Sequence, residues 1–182
     1  MKKILAAGIA TAALMAVASS ANAIGVSTEV GKHYTNVGIG LGTTTSGIAL
    51  SGNWSHSSRD GDFGGLGLGY NIPVGPFMAT VGAKALYVRP DDGRSGYAIP
   101  LGGGLQWSMN RYLSLYGEAY YAPNALTSGI NNYKEANAGV RLKPIPLLSV
   151  DVGYRYTALN GEHGNLNNVI SDGPYVGAAF NF

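Results

Sequence analysis

The chain has 182 residues, no cysteine, 28 glycines and only 12% Asp, Glu, Lys and Arg, whereas globular domains carry about 25% charged residues and about 7% glycine. With Lys2 and Lys3 set aside, ten basic residues balance ten acidic ones, so no electrostatic grip on nucleic acid is expected. The lack of cysteine excludes both a disulfide and a lipoprotein anchor.

The first stretch, "MKKILAAGIATAALMAVASSANA", joins a positive start to an apolar segment from Ile4 to Ala18 and an Ala-x-Ala site at Ala21 and Ala23. These are the parts of a secretory signal peptide, expected to be cleaved after Ala23. The apolar segment falls short of the roughly 20 residues that a spanning helix requires. Residues 24–182 then form one domain of 159 residues.

From there a period of two dominates, the mark of strands with two unlike faces. In "VGIGLG", Val37, Ile39 and Leu41 alternate with glycines. In "YAIPLGGGLQW", Tyr97, Ile99, Leu101, Leu105 and Trp107 share a face. In "LLSVDVGYRY", Leu148, Val150, Val152, Tyr154 and Tyr156 do so. Turn residues divide the chain into expected strands at 24–32, 35–43, 46–56, 62–72, 76–88, 96–107, 111–122, 133–143, 147–158 and 174–182. The connections "TTS", "IPVGP", "MNR" and "KPIPL" are compact; "SSRDGD", "RPDDGRSG", "APNALTSGINN" and "ALNGEHGNLNNVISDG" are longer and polar. Short turns at one end and long loops at the other describe an antiparallel up-and-down transmembrane β-barrel of the outer membrane, with the short turns periplasmic. Both termini then lie at the periplasmic end, which requires an even strand number. Ten strands satisfy this, and eight would if residues 24–45 formed something other than a hairpin.

The face opposite the large apolar residues carries Glu29, Lys84, Glu118, Glu135, Arg141, Asp151 and Arg155 among small residues. A soluble exterior would be dense in Lys and Glu, so this face reads as a lumen. Its charges must pair, because an isolated charge in a narrow low-dielectric space is costly. Lys84, Arg141 and Arg155 are therefore expected to form an ion-pair network with Glu118, Glu135 and Asp151, Arg141 meeting Asp151 across the "KPIPL" turn. Aromatics fall at both strand ends: Tyr70, Phe77, Trp107, Tyr112, Phe180 and Phe182 at the periplasmic end, and Tyr34, Trp54, Phe63, Tyr87, Tyr97, Tyr121, Tyr133, Tyr156 and Tyr175 at the external end. They are expected to form the two girdles of a membrane barrel.

His33, His56 and His163 lie at external ends near Asp60, Asp62, Asp91, Asp92, Glu162 and Asp172, with Ser57 beside His56. Such groups could serve a hydrolase of the protease or lipid A esterase type at the external rim, but spacing across loops does not fix the geometry that acid–base chemistry needs. The glycine-rich "GLGLGY" and "GGGL" sit within strands rather than at strand-to-helix junctions, so they do not form a phosphate loop. No catalytic residue, cofactor or metal site is assigned.

The stretches "VGIGLGTTTSGIALSGNWSH", "DGDFGGLGLGYNIPVGPF", "VGAKALYV", "YGEAYYAP", "EANAGVRLKPIPLLSVDVGYRY" and "DGPYVGAAFNF" together resemble the YfaZ family of outer-membrane proteins. The resemblance implies a small barrel in the outer membrane of a Gram-negative bacterium and brings no activity or functional residues. The last strand places Val176, Ala178, Phe180 and Phe182 on one face and ends the chain on Phe182, a pattern that resembles the signal read by the outer-membrane assembly machinery. The expected protein is a monomeric, porin-like barrel with a structural or narrow-pore role. Its expected partners are outer-membrane lipid, lipopolysaccharide and that machinery.

Overall fold

A computed structural model describes residues 24–58, 61–89, 95–161 and 168–182. Its strands are β1 (Ile24–Gly31), β2 (Tyr34–Leu41), β3 (Gly47–Ser57), β4 (Gly61–Val74), β5 (Phe77–Arg89), β6 (Gly96–Ala98), β7 (Leu101–Ser108), β8 (Leu113–Ala122), β9 (Thr127–Ser128), β10 (Ile130–Ile145), β11 (Leu148–Gly161) and β12 (Asn168–Asn181), with one 3-10 turn at Asn124–Leu126. Strands β6 and β7 are two parts of one stave. Pro100 interrupts it, having no amide hydrogen for the ladder, while its carbonyl still accepts from the Lys84 amide at 2.9 Å. The two-residue β9 pairs with β6 on the external side. Counted as staves, the barrel has ten.

Every neighbouring pair is antiparallel, β4 pairs with β5, and β1 pairs with β12. The seam runs from Gly25↔Asn181 to Gly31↔Tyr175, and the backbone of Phe182 exchanges hydrogen bonds of 3.1 and 2.8 Å with that of Ile24. No stave among the described residues is left with an unpaired edge, as a bilayer core demands. Both ends of residues 24–182 fall where the connections are short, in particular Gly75–Pro76 and Pro146–Leu147, which makes this the periplasmic end. Gly75 takes φ +60° there, and Gly42 takes φ +68° in the 42–46 turn. Asn71, buried on β4, holds the latter turn against the wall by donating to the carbonyls of Gly42 and Thr45 at 3.0 and 2.8 Å, while accepting from the Thr80 hydroxyl at 2.6 Å.

Leu66, Leu68, Tyr70 and Ile72 on β4, Leu101 and Leu105 on β7, and Val176 and Phe180 on β12 all point outward and are exposed, which places an apolar belt against lipid. Two differences from the expected layout concern the external end. Strands β10 and β12 begin at Ile130 and Asn168 rather than at 133 and 174, because Ile130↔Gly161 and Asn132↔Asn160 extend β10 along β11, and Thr157↔Ser171, Ala158↔Val169 and Leu159↔Asn168 continue the β11–β12 ladder past a bulge at Ile170, through residues rich in Asn and Ser. The first external connection, Lys32–His33, has two residues, as the expected strands 24–32 and 35–43 imply. And of the expected external girdle, Trp54, Tyr87, Tyr97, Tyr121 and Tyr156 do face outward, whereas Tyr34, Phe63, Tyr133 and Tyr175 are turned into the barrel and buried, since each lies on the inward parity of its strand.

Inward tyrosines explain several glycines. Gly31, Tyr175, Gly153, Gly139 and Tyr116 form one row across β1, β12, β11, β10 and β8. The two tyrosines lie over the glycines between them, and their hydroxyls meet. A Cβ on Gly153 would stand 2.9 Å from the Tyr175 ring, and one on Gly139 2.6 Å from the Tyr116 hydroxyl. Gly153→Val is therefore expected to lower stability by about 1–3 kcal/mol through overpacking, read as a lower urea midpoint for the compact band on unheated gels. Gly64→Ala, where a Cβ makes only ordinary contacts, should change it by less than about 0.5 kcal/mol.

Candidate functional site

The seven inward charges come together as three linked groups near mid-height. Arg155, on β11, directs Nη2 at Glu29 Oε2 of β1 at 3.2 Å and at Glu118 Oε1 of β8 at 3.8 Å. Lys84, on β5, reaches across the barrel to both carboxylate oxygens of Glu135 on β10 at 3.1 and 3.0 Å, its ammonium lying 3.9 Å from the Tyr120 ring centre. Arg141 and Asp151 are register partners on β10 and β11 and form a two-point pair, Nε–Oδ1 and Nη2–Oδ2 both at 2.8 Å. Such two-point geometry is the strong form of an arginine–carboxylate pair. Strand parity brings these groups inward, and Gly177 makes room for them: it pairs with both Glu29 and Asp151, and a Cβ there would press on the Glu29 side chain at 3.1 Å. The layer thus contains Lys84, Glu118, Glu135, Arg141, Asp151 and Arg155, together with Glu29 as the main counterion of Arg155.

On the external side of this layer the lumen changes character. Phe63, Leu86, Val88, Ala98, Ala122, Ile130, Tyr133, Leu159 and Ile170 form a buried apolar cluster inside the barrel. The Phe63 and Tyr133 rings meet edge to face at 6.2 Å. The Tyr133 hydroxyl donates to Glu135 Oε2 at 2.8 Å, so cluster and charged layer are joined. Full burial of side chains such as Leu159 and Ile170 contributes roughly 1.5–3 kcal/mol each. This plug departs from the polar inward face expected from the charges and small residues on that parity. A signal existed: "ALYV" and "ALN" carry apolar residues at consecutive positions, so both faces are apolar where these strands reach the external end.

On the periplasmic side a cavity of about 310 Å³ runs down to the exposed turn residues Thr43 and Thr44. Ser27, Ser51, Asn53 and Gln106 line it, and all seven charged groups of the layer border it. No member of the apolar cluster reaches it.

The rim groups considered for catalysis are not assembled. His56 faces outward, stacked on Trp54 at 5.8 Å with its Nδ1 against the Asp62 carboxylate, while the adjacent Ser57 faces inward and is buried. His33 accepts at its backbone carbonyl from the Ser58 amide at 3.0 Å. Asp172 accepts from the Tyr154 hydroxyl. Glu162, His163, Asp60, Asp91 and Asp92 lie outside the described residues, as do Ala21 and Ala23. Among the described residues no three His, Asp or Glu side chains converge as a metal set.

A closed ten-stave barrel with an apolar outer belt, short turns at the end that holds both termini and ion pairs within defines an integral β-barrel protein of the outer membrane. The family model described as "YfaZ precursor" matches residues 1–182. The chain is 51% identical over 182 residues, all of either chain, to "Outer membrane protein YfaZ" of Escherichia coli (strain K12). It belongs to the YfaZ family. Among solved structures, the NanC porin aligns with 89% of this chain and 100% of its own at a TM-score of 0.51 and 10% identity, a likeness of fold.

The layer makes a testable statement about stability. Arg155→Met leaves Glu29 and Glu118 facing each other without their cation, and is expected to cost about 3–5 kcal/mol. Adding Glu29→Gln should restore a large part of the loss. The check is the urea midpoint of the folded band for the single and double variants.

Proposed function

We propose that the protein is a closed, non-catalytic barrel that acts as a structural element of the outer membrane and presents polar loops outward. The observation that supports this reading is the filling of the lumen. The Lys84–Glu135 pair reaches across it at mid-height, Arg155 bridges from β11 to Glu29 of β1 and Glu118 of β8, and the cluster around Phe63, Tyr133 and Leu159 occupies its external half. Ion passage through this arrangement would require breaking buried pairs and wetting an apolar core, both costly. Absence of enzymatic chemistry is supported by the opposed faces of His56 and Ser57. Refolded protein in planar bilayers should give no discrete conductance steps at neutral pH. Reproducible channels from the purified wild-type chain would overturn this reading.

The monomer's outer belt would contact lipid and lipopolysaccharide, and its last strand would be read by the assembly machinery. Val176, Ala178 and Phe180 of β12 and the Phe182 that follows it share the outward face, and Val176, Phe180 and Phe182 are exposed there. The Phe182 backbone also completes the seam to Ile24. Deleting Phe182 is expected to lower the amount of heat-modifiable protein in the outer membrane several-fold, measured by comparing unheated and heated samples of membrane fractions. Unchanged levels would sink the assembly role.

A further inference from the structure

We propose that a groove in the lipid-facing wall of β7, β8, β10 and β11 is a binding site for lipid A, the membrane anchor of lipopolysaccharide: one saturated acyl chain lies in the groove, and a phosphate of the headgroup meets the ammonium of Lys134. The inference deepens the reading that the outer belt contacts lipopolysaccharide, and rests on it.

The groove is open to the membrane and encloses about 600 Å³. Outward positions with little or no side chain make its floor, Gly117 and Ala119 on β8 and Ala136 and Ala138 on β10, with Leu105 on one bank and Tyr156 on the other. Elsewhere in the belt, larger residues such as Leu66, Leu68 and Val176 fill the outward positions. Packing inside the barrel does not require the gap at Gly117: a Cβ there would meet only the Asn137 carbonyl at 3.8 Å and the Ala138 Cβ at 3.9 Å, ordinary contacts. The missing volume therefore lies on the membrane side. Glu118 and Asn137 also border the groove, but their hydrogen bond to each other at 3.2 Å and the approach of Arg155 to Glu118 hold those side chains in the lumen. What remains towards lipid is apolar apart from tyrosine hydroxyls, and suits a hydrocarbon chain.

A cation stands at the external end of this groove. Lys134 is the next outward residue of β10 beyond Ala136, about 7 Å along the strand, and is exposed. Among the described residues no carboxylate pairs with its ammonium. Asp172, an outward carboxylate on this wall, lies two strands away on β12 and accepts from the Tyr154 hydroxyl. The register partner of Lys134 on β8 is Tyr121, an exposed ring of the external girdle, so the lysine sits where headgroups begin. From Ala138 to Lys134 the strand runs about 13 Å, comparable with one leaflet, half of a hydrocarbon core about 30 Å thick. Groove and cation are thus spaced as the chain and headgroup of one lipid of the external leaflet. An unpaired ammonium at that height attracts an anionic headgroup, and the anionic lipid of the external leaflet is lipopolysaccharide, whose lipid A carries phosphates directly above its chains.

The refolded barrel in nonionic detergent is titrated with purified lipid A, with lipid A stripped of its phosphates and with dimyristoylphosphatidylglycerol, and the bound copies are counted by native mass spectrometry. One copy of lipid A is expected to bind ahead of any other, at a concentration several-fold lower than either of the other two lipids requires. Lys134→Gln should raise the lipid A concentration for half-occupancy about fivefold and leave binding of the stripped lipid unchanged. Gly117→Leu and, independently, Ala136→Leu fill the groove and should weaken both forms of lipid A, while the compact band on unheated gels stays in place. Thr28→Leu, an enlargement at an exposed outward position of β1, should weaken neither. Equal binding of lipid A and the phosphatidylglycerol, or occupancy indifferent to Gly117→Leu and Ala136→Leu, would each overturn the proposal. A dimer that these two substitutions abolish and lipid A does not displace would also overturn it, by giving the groove to a second copy of the chain. A graded series of bound lipid A copies, unaffected by any substitution, would sink the site and leave the belt's contact with lipopolysaccharide standing. Retention of no lipid A by any variant would sink that contact too, so the two failures are distinguishable.

Discussion

The constraint on which the rest depends is that no backbone amide or carbonyl can go unpaired inside a bilayer. A sheet meets it only by closing on itself, and here closure falls on β1 and β12, the first and last described strands. Their seven registered pairs, extended by the Ile24–Phe182 exchange, turn the end of the sequence into a structural member. Once the sheet is closed, each residue has one of two addresses. The outward positions must be apolar to face lipid, and the inward ones must fill a narrow tube without leaving charge uncompensated.

Filling the tube is solved differently at different heights. At mid-height, long side chains cross the lumen and neutralise one another, with glycines such as Gly177 giving them space. In the row that holds Tyr175 and Tyr116, rings lie over Gly153 and Gly139, so the glycine content and the inward aromatics answer the same packing problem. Towards the exterior, Phe63, Leu86, Val88, Tyr133 and Leu159 make a small apolar core of the kind found in soluble proteins. The buried pairs are weak evidence for stability in themselves, since desolvation offsets much of their attraction. Their effect is to define which side chains can share the lumen.

Much of the barrel was legible in the sequence because strand parity depends only on period, and period is local. The alternation of "LLSVDVGYRY" gives the outward face of β11 directly, and the same parity places Arg141 opposite Asp151. Ten staves followed from turn chemistry. What parity could not convey was the identity of the inward face as it nears the exterior. Phe63 and Tyr133 stand close to strand ends, and Tyr175 close to the start of the shorter strand expected at 174–182, where a girdle aromatic is equally at home. Glu29 was seen on the inward face, but its pairing with Arg155 joins β1 to β11 around the intervening β12, a contact 126 residues apart, which no local pattern announces. The continuation of β10 and β12 through Asn-rich segments was missed because those residues favour turns locally while the neighbouring strand offers a ladder.

The short Lys32–His33 connection has a consequence for the outer surface of the cell. Strands β1 and β2 have eight residues each, whereas β10, β11 and β12 have sixteen, fourteen and fourteen, and all rise from the same periplasmic rim. Among the described residues the wall is therefore low at the first hairpin and higher both along β4 and β5, of fourteen and thirteen residues, and along the C-terminal strands. A bulky visitor from the medium, such as an antibody, would meet those taller walls before it reached the first hairpin.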